Sequence, residues 1–108
     1  MQDLITKIQA LVKARPNQEI CGIVGSDSEV YLIKNVASQS RTSFVFDKRE
    51  YFSYLKEFKQ KGTDIKYFFH SHPFGDSTPS NTDIAFAKRS GVPQIIVSFR
   101  NYTVVPIA

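Results

Sequence analysis

The chain has 108 residues, a net charge of +4 and one cysteine. This length fits one domain with a single core, and we expect that domain to span residues 1–108. The basic residues are scattered without a long tract, which argues against nucleic-acid binding. One cysteine excludes an internal disulfide and a thiolate-rich zinc site. No apolar run has the length of a membrane span and no signal peptide is visible, so we expect a cytoplasmic protein, or one assembled there into a particle.

The first half of the chain is predicted to form a helix followed by three strands. Apolar residues recur at helical spacing over residues 4–12. Residues 19–25 and 29–36 have the composition of two strands joined in a hairpin. Residues 42–46 alternate between polar and aromatic side chains, which predicts a third strand.

The second half of the chain alternates between helix and strand. An apolar stripe over residues 48–61 predicts a helix, and Gly62 stands where a C-terminal cap is expected. The elements that follow are a strand over 64–71, a loop over 73–79, a short helix from Ser80 to the Gly91-Val92-Pro93 stop, and strands over 94–98 and 102–107. The whole pattern predicts a mixed α/β fold with a mostly antiparallel sheet and about three helices.

Two histidines, His70 and His72, stand one residue apart at the end of an apolar strand, and the chain has no others. Side chains two positions apart on a strand point the same way, so both imidazoles are expected on one face. Asp83 can supply a third ligand and leave a fourth position to water. Three protein ligands with an open position are typical of catalytic rather than structural zinc. The sequence therefore predicts a Zn²⁺ site formed by His70, His72 and Asp83.

Ser80 and Asp83 also have a purely structural interpretation. Ser-x-x-Asp is typical of a capping box, in which the serine oxygen accepts the backbone N–H of the acid three residues on. Ser80 can cap the helix and still donate its hydroxyl proton, whereas the two roles compete for the carboxylate. Cys21 is expected to be a small buried residue, because a nucleophilic cysteine needs a histidine and both are assigned to the metal.

The motifs together resemble one enzyme family. Glu19 followed by Cys-Gly, then His-Ser-His-Pro, then Ser-x-x-Asp after seven intervening residues, is similar to the JAMM (MPN-type, JAB-domain) zinc metalloproteases. The resemblance implies a cytidine-deaminase-like MPN fold, a zinc metalloprotease activity and zinc bound by His70, His72 and Asp83. It also implies that Glu19 acts on the zinc-bound water and that Ser80 hydrogen-bonds the tetrahedral intermediate.

The chemistry of that family suits these residue types. Zinc lowers the pKa of a bound water to about 7, and a nearby carboxylate such as Glu19 can move its proton to the leaving amine. A donor such as Ser80 aimed at the oxyanion is typically worth about 3 kcal/mol. The partners of the remaining imidazole nitrogens stay open among Ser71, Asp76, Thr78 and backbone carbonyls. Phe74, in the 73–79 loop, is expected either at the rim of the cleft or buried under the loop.

Two subtypes of the family remain possible. The segment over residues 70–98 is similar to the N-terminal domain of lambda K-type phage tail-assembly proteins, where an NlpC-type peptidase often follows. On that resemblance, we expect the second peptidase to be absent here, cut off or encoded separately. The chain is also similar to small desampylase-like enzymes and to those that trim sulfur-carrier proteins, whose substrates carry a glycine pair.

Three functions follow from these resemblances. The first is a zinc peptidase or isopeptidase acting on a peptide or on a ubiquitin-like or sulfur-carrier C-terminus. The second is a peptidoglycan peptide hydrolase of a phage tail. The third is a non-catalytic tail-assembly module, with phage tail proteins as partners, that keeps the metal site.

Overall fold

The computed structural model describes residues 1–107. These residues form three helices and five strands, in the order α1 (Gln2–Ala14), β1 (Cys21–Gly25), β2 (Val30–Ile33), α2 (Lys48–Lys61), β3 (Ile65–Ser71), α3 (Asn81–Ser90), β4 (Gln94–Val97) and β5 (Tyr102–Val105). The predicted mixed α/β architecture with three helices is confirmed. No helix in this part of the chain is long and apolar enough to cross a membrane.

The five strands form one sheet in the order β2-β1-β3-β4-β5. Three of the neighbouring pairs are antiparallel and only β3 and β4 are parallel, as predicted for a mostly antiparallel sheet. The parallel pair arises because α3 carries the chain back between β3 and β4. The central strand β3 therefore has its histidine-bearing end between two other strands, with His70 opposite Cys21 of β1 and Ile96 of β4.

Helices cover both faces of the sheet. Helix α1 buries its apolar stripe on one face, where Ile8 packs in a cluster with Phe69 of β3. On the other face, Phe58 of α2 and Phe86 of α3 pack with Phe68. Since side chains alternate along β3, His70 shares the α2 and α3 face with Phe68.

The helix ends follow the sequence closely. Gly62 and Gly91 both adopt the left-handed conformation after α2 and α3, with φ of 68° and 69°. A glycine reaches that conformation without the steric penalty of a Cβ, so each ends its helix sharply. The predicted cap at Gly62 is confirmed.

The predicted strand over residues 42–46 is wrong. Only an isolated bridge between Asn35 and Phe46 forms there. Backbone pairing there is limited to the Val36 N–H with the Val45 carbonyl and the Asp47 N–H with the Lys34 carbonyl, both at 2.9 Å. The Asn35 side chain adds two bonds, since its amide donates to the Ser43 carbonyl at 3.0 Å and its oxygen accepts from the Val45 N–H at 3.0 Å. The hairpin strands are also shorter than predicted, so Glu19 precedes β1 instead of lying within a strand.

Candidate metal centre

His70 and His72 lie together at the C-terminal end of β3. Their Nε2 atoms are 3.2 Å apart, so the prediction that both imidazoles share one face is confirmed. His70 is buried, whereas His72 is half-buried and lines a surface pocket. The backbone N–H of His72 donates to the Val97 carbonyl at 2.9 Å, which keeps this residue extended just beyond the strand.

Asp83 brings its carboxylate to the two histidines from the first turn of α3. Its Oδ1 is 3.0 Å from His70 Nε2 and its Oδ2 is 3.4 Å from His72 Nε2. The potential ligand atoms of the three residues all lie within 4.8 Å of one another. One nitrogen from each histidine and one carboxylate oxygen could therefore hold a single metal ion.

The capping box predicted at the start of α3 is present as well. The Ser80 backbone N–H donates to Asp83 Oδ2 at 2.9 Å, and the Asp83 N–H donates to Ser80 Oγ at 3.1 Å. The competition for the carboxylate is resolved by dividing its oxygens, since Oδ2 serves the cap and Oδ1 faces His70. In the cap Ser80 Oγ acts as acceptor, so the hydroxyl keeps its proton to donate.

The two imidazoles are oriented by different neighbours. His72 Nδ1 lies 3.0 Å from the Asp76 carbonyl, which can only accept, so this nitrogen carries a proton and Nε2 is the nitrogen left for a metal. Of the partners left open by the sequence, the backbone carbonyl is the one found. The ring of His70 stacks on Phe44, with 4.5 Å between ring centroids.

The electrostatics favour the protonation states that a metal site requires at two of the three residues, Asp83 and His70. Burial raises the pKa of Asp83, but hydrogen bonds from His70 and His72 outweigh burial and hold it well below its usual range. Burial lowers the pKa of His70, while the hydrogen bond to Asp83 raises the pKa of His72. Asp83 is thus ionised and His70 neutral near pH 7, as metal ligands must be.

Glu19 reaches the same pocket from the segment before β1. Its side chain is buried, and burial raises its pKa from 4.5 to about 7, with the charge of His72 lowering it and that of Asp83 raising it. Two hydrogen bonds fix the next residue: the Ile20 N–H donates to Ser71 Oγ at 2.9 Å and the Ser71 N–H donates to the Ile20 carbonyl at 3.0 Å. Ser71, which lies between the two histidines, therefore holds the backbone next to Glu19 through its bonds to Ile20.

The site opens into a pocket of about 520 Å³. Glu19, His72, Ser80 and Asp83 line it, and residues 41–44 and 73–75 form further parts of its wall. Phe74 is 56% exposed, so of its two expected placements the rim of the pocket is the one found. The Arg41 guanidinium stands 4.8 Å from the centroid of the Phe74 ring, so the two wall segments meet over the pocket.

The comparisons with known proteins agree with this geometry. Residues 1–106 match the family described as prokaryotic homologues of the JAB domain. The chain belongs to this family. A desampylase from Haloferax volcanii is 34% identical over 89 residues, which cover 77% of this chain and 64% of that protein. The chain thus spans just under two thirds of the length of that relative.

Solved structures resemble this JAB domain across nearly its whole length. A solution structure of a protein from Desulfitobacterium hafniense has a TM-score of 0.71 and 25% identity, covering 96% of this chain and 78% of the other. A second, from Salinibacter ruber, has a TM-score of 0.57 at the same identity and coverage. The predicted fold is confirmed by these neighbours. The likeness to phage tail-assembly proteins stays a prediction.

The donor set of this JAB domain fits zinc. Two imidazole nitrogens and one carboxylate oxygen are ligands that zinc accepts, and two of the three residues, His72 and Asp83, line the pocket. His72 already has the outer hydrogen bond that zinc-binding histidines require. Cys21 takes no part, because it is fully buried and burial raises the pKa of its thiol to about 12.

Two residues of the site were missed by the sequence reasoning. Phe44 was assigned to a strand, although it packs flat on His70. Gln94 was treated only as the start of a strand, although it is buried next to the metal cluster. A glutamine opening the apolar run Ile95-Ile96-Val97 was the available signal, since a buried amide requires partners.

Proposed function

We propose that this JAB domain is a zinc-dependent isopeptidase or peptidase that hydrolyses an amide bond at the C-terminus of a ubiquitin-like or sulfur-carrier protein. The observation that carries the proposal is that Glu19 and Ser80 line the same pocket as two of the potential ligands, His72 and Asp83. The third, His70, is buried in the same cluster. A metal site used only for structure needs neither a buried acid with a raised pKa nor a spare hydroxyl at its open side.

The residues take distinct roles in this proposal. His70, His72 and Asp83 hold the zinc, which when bound acts as a Lewis acid that polarises the scissile carbonyl and acidifies water. Glu19 accepts the proton of the attacking water and delivers it to the leaving amine, for which a pKa near 7 is well matched. The Ser80 hydroxyl donates to the oxygen of the carbonyl as negative charge develops there. No covalent enzyme intermediate is required.

The pocket favours an extended chain with small side chains at the scissile bond. Arg41 and Phe74 contact each other in its wall, while Thr42, Ser43 and Gly75 line it with small side chains or none. A glycine pair at the end of a ubiquitin-like carrier has the required shape. The relative named as a desampylase supports the same class of substrate.

The experiment compares two substrates under metal control. A ubiquitin-like carrier ending in Gly-Gly and fused to a reporter is expected to be cleaved after zinc loading, and cleavage is expected to stop on chelation and return with zinc. A muropeptide is expected to stay intact. Cleavage of the muropeptide alone would contradict the proposal and indicate peptidoglycan hydrolysis. If the zinc-loaded protein cleaves no peptide, the protein is a non-catalytic module.

A further inference from the structure

Gln94 is a polar residue in a fully apolar setting. It opens β4, is 1% exposed, and precedes three residues that are completely buried. An amide taken out of water is destabilising unless its donor and acceptor groups find partners. The partners of Gln94 therefore indicate why this position holds a glutamine.

The amide group of Gln94 is oriented by Asp83. Its Nε2 donates to the Asp83 carbonyl oxygen at 3.3 Å. Because a carbonyl can only accept, the group facing Asp83 must be the NH₂, and the opposite atom must be Oε1. Gln94 thus presents a hydrogen-bond acceptor on its other side.

The donor that matches Gln94 Oε1 is Nδ1 of His70. Within residues 1–107, two buried side-chain atoms lack a formed hydrogen bond: Gln94 Oε1 and His70 Nδ1. The register of β3 and β4 pairs Phe68 with Gln94, which makes Gln94 and His70 diagonal neighbours on one face.

We propose that Gln94 positions the metal ligand His70. Its Oε1 accepts a hydrogen bond from His70 Nδ1–H, which leaves the lone pair of His70 Nε2 for the metal. The inference rests on the proposed zinc function. Gln94 would do for His70 what the Asp76 carbonyl does for His72. Because its NH₂ also holds the Asp83 backbone, one amide links two ligands that come from different elements.

The first test is zinc affinity, measured by competition with a chromophoric chelator. Gln94→Met, which keeps the length of the side chain but removes both polar groups, is expected to weaken zinc binding about 10- to 100-fold. Gln94→Glu, which keeps an acceptor for the Nδ1 proton but loses the donor to the Asp83 carbonyl, is expected to recover part of that loss. Gln60→Met, the same change at an exposed position of α2, is the control and should bind zinc like the unaltered protein.

The second test observes the Nδ1 proton of His70 directly. In the zinc-loaded protein, long-range ¹H–¹⁵N spectra of the two histidines should show slowly exchanging Nδ1 protons on both rings. In Gln94→Met the His70 proton should exchange rapidly, while the His72 proton stays protected by the Asp76 carbonyl. If Gln94→Met does not fold, proton exchange in the unaltered zinc-loaded protein is the test. A rapidly exchanging His70 Nδ1 proton in that protein would overturn the inference.

The outcomes separate this inference from the function on which it rests. If the unaltered protein binds no zinc, the proposed function fails and the inference fails with it. If it binds zinc and Gln94→Met binds it within twofold, with the His70 proton still protected, only the role of Gln94 is overturned.

Discussion

Ser80 and Asp83 hold each other at the start of α3 by two reciprocal hydrogen bonds, of 2.9 Å and 3.1 Å. The same pair faces the histidines, since Asp83 Oδ1 is 3.0 Å from His70 Nε2. The first turn of this helix therefore sets the position of a potential metal ligand and of a hydroxyl donor at once. Stability and chemistry are coupled here, and variants must be chosen to separate them.

Ser80→Gly should separate the two roles of the serine. Glycine at an N-cap costs only a few tenths of a kcal/mol relative to serine, whereas alanine costs about 1 kcal/mol. We expect Ser80→Gly to melt close to the unaltered protein but to lose about 10²- to 10³-fold in kcat, because the oxyanion loses its donor. Thermal melts and steady-state kinetics provide the measurement. A kcat close to the unaltered value would assign Ser80 to the cap alone.

Zinc content should depend on the histidine pair. We expect about one zinc per chain in the purified protein and almost none in the His70→Ala, His72→Ala double variant, because only one side-chain ligand then remains. Metal analysis by mass spectrometry on the desalted proteins checks this. The melting temperature should fall on chelation only in the unaltered protein, since zinc stabilises the folded state that binds it. Full zinc occupancy in the double variant would contradict the assignment.

Glu19→Gln should retain zinc and lose turnover. The amide keeps the shape of the side chain but cannot accept a proton, so kcat is expected to fall about 10²- to 10⁴-fold. Glu29→Gln, at an exposed acid in the β1–β2 connection, is the matched control and should leave both zinc and kcat unchanged. Near-normal turnover by Glu19→Gln would exclude Glu19 as the base.

The same variant should change how stability depends on pH in the metal-free protein. The pKa of Glu19 is about 7 in the folded protein because of burial, against an ordinary 4.5. The folded state thus holds this proton more tightly than the unfolded state, so stability decreases as the pH rises from about 4.5 to 7. Glu19→Gln removes that decrease. After allowance for water in the pocket we expect a gain of about 1–2 kcal/mol at pH 8.

Denaturant unfolding at pH 4 and pH 8 measures this effect. At pH 4 Glu19 is protonated in both states, so the variant and the unaltered protein should differ little. An equal gain at both pH values would mean that the variant acts through packing and not through the carboxylate charge.

Phe74→Ala should weaken substrate binding without destabilising the fold. The ring is 56% exposed and touches Arg41 over the pocket, a contact of about 0.5–1 kcal/mol at an exposed site. We expect KM to rise several-fold while zinc content and melting temperature stay nearly constant. Phe52→Ala, at a 61% exposed ring on α2, is the control and should leave KM unchanged. A fall of many degrees with constant KM would show that Phe74 has a structural role.

Local patterns predict that His70, His72 and Asp83 cluster, because the geometry that joins them is local. Two histidines at alternate positions of a strand must share a face, and Ser-x-x-Asp marks a helix start whatever its surroundings. Glu19 was different, since it lies 51 residues before His70 and only the family resemblance singled it out. Its place in the pocket depends on the pairing of β1 with β3, which no short motif encodes.

The errors have a common physical cause. The alternation over residues 42–46 predicts a strand, but only one bridge forms there and the Asn35 side chain bonds the neighbouring backbone of Ser43 and Val45. A single polar residue such as Gln94 does not change the period of a strand. In both cases a side-chain amide bonds to a distant backbone group, and sequence periodicity carries no information about that.

Ser71, the residue between the two histidines, has a consequence for how the active form is lost. Its hydroxyl accepts a hydrogen bond from the N–H of Ile20, 51 positions earlier in the chain, and its own N–H donates to the Ile20 carbonyl. Both residues are buried. Fraying of β1 would have to break these two hydrogen bonds before Glu19 could move away from the histidines. Opening of the site thus requires the sheet to separate at its centre, which is typical of global and not local fluctuations. In the zinc-loaded protein, the displacement of Glu19 and the loss of folded structure should consequently occur in a single cooperative step.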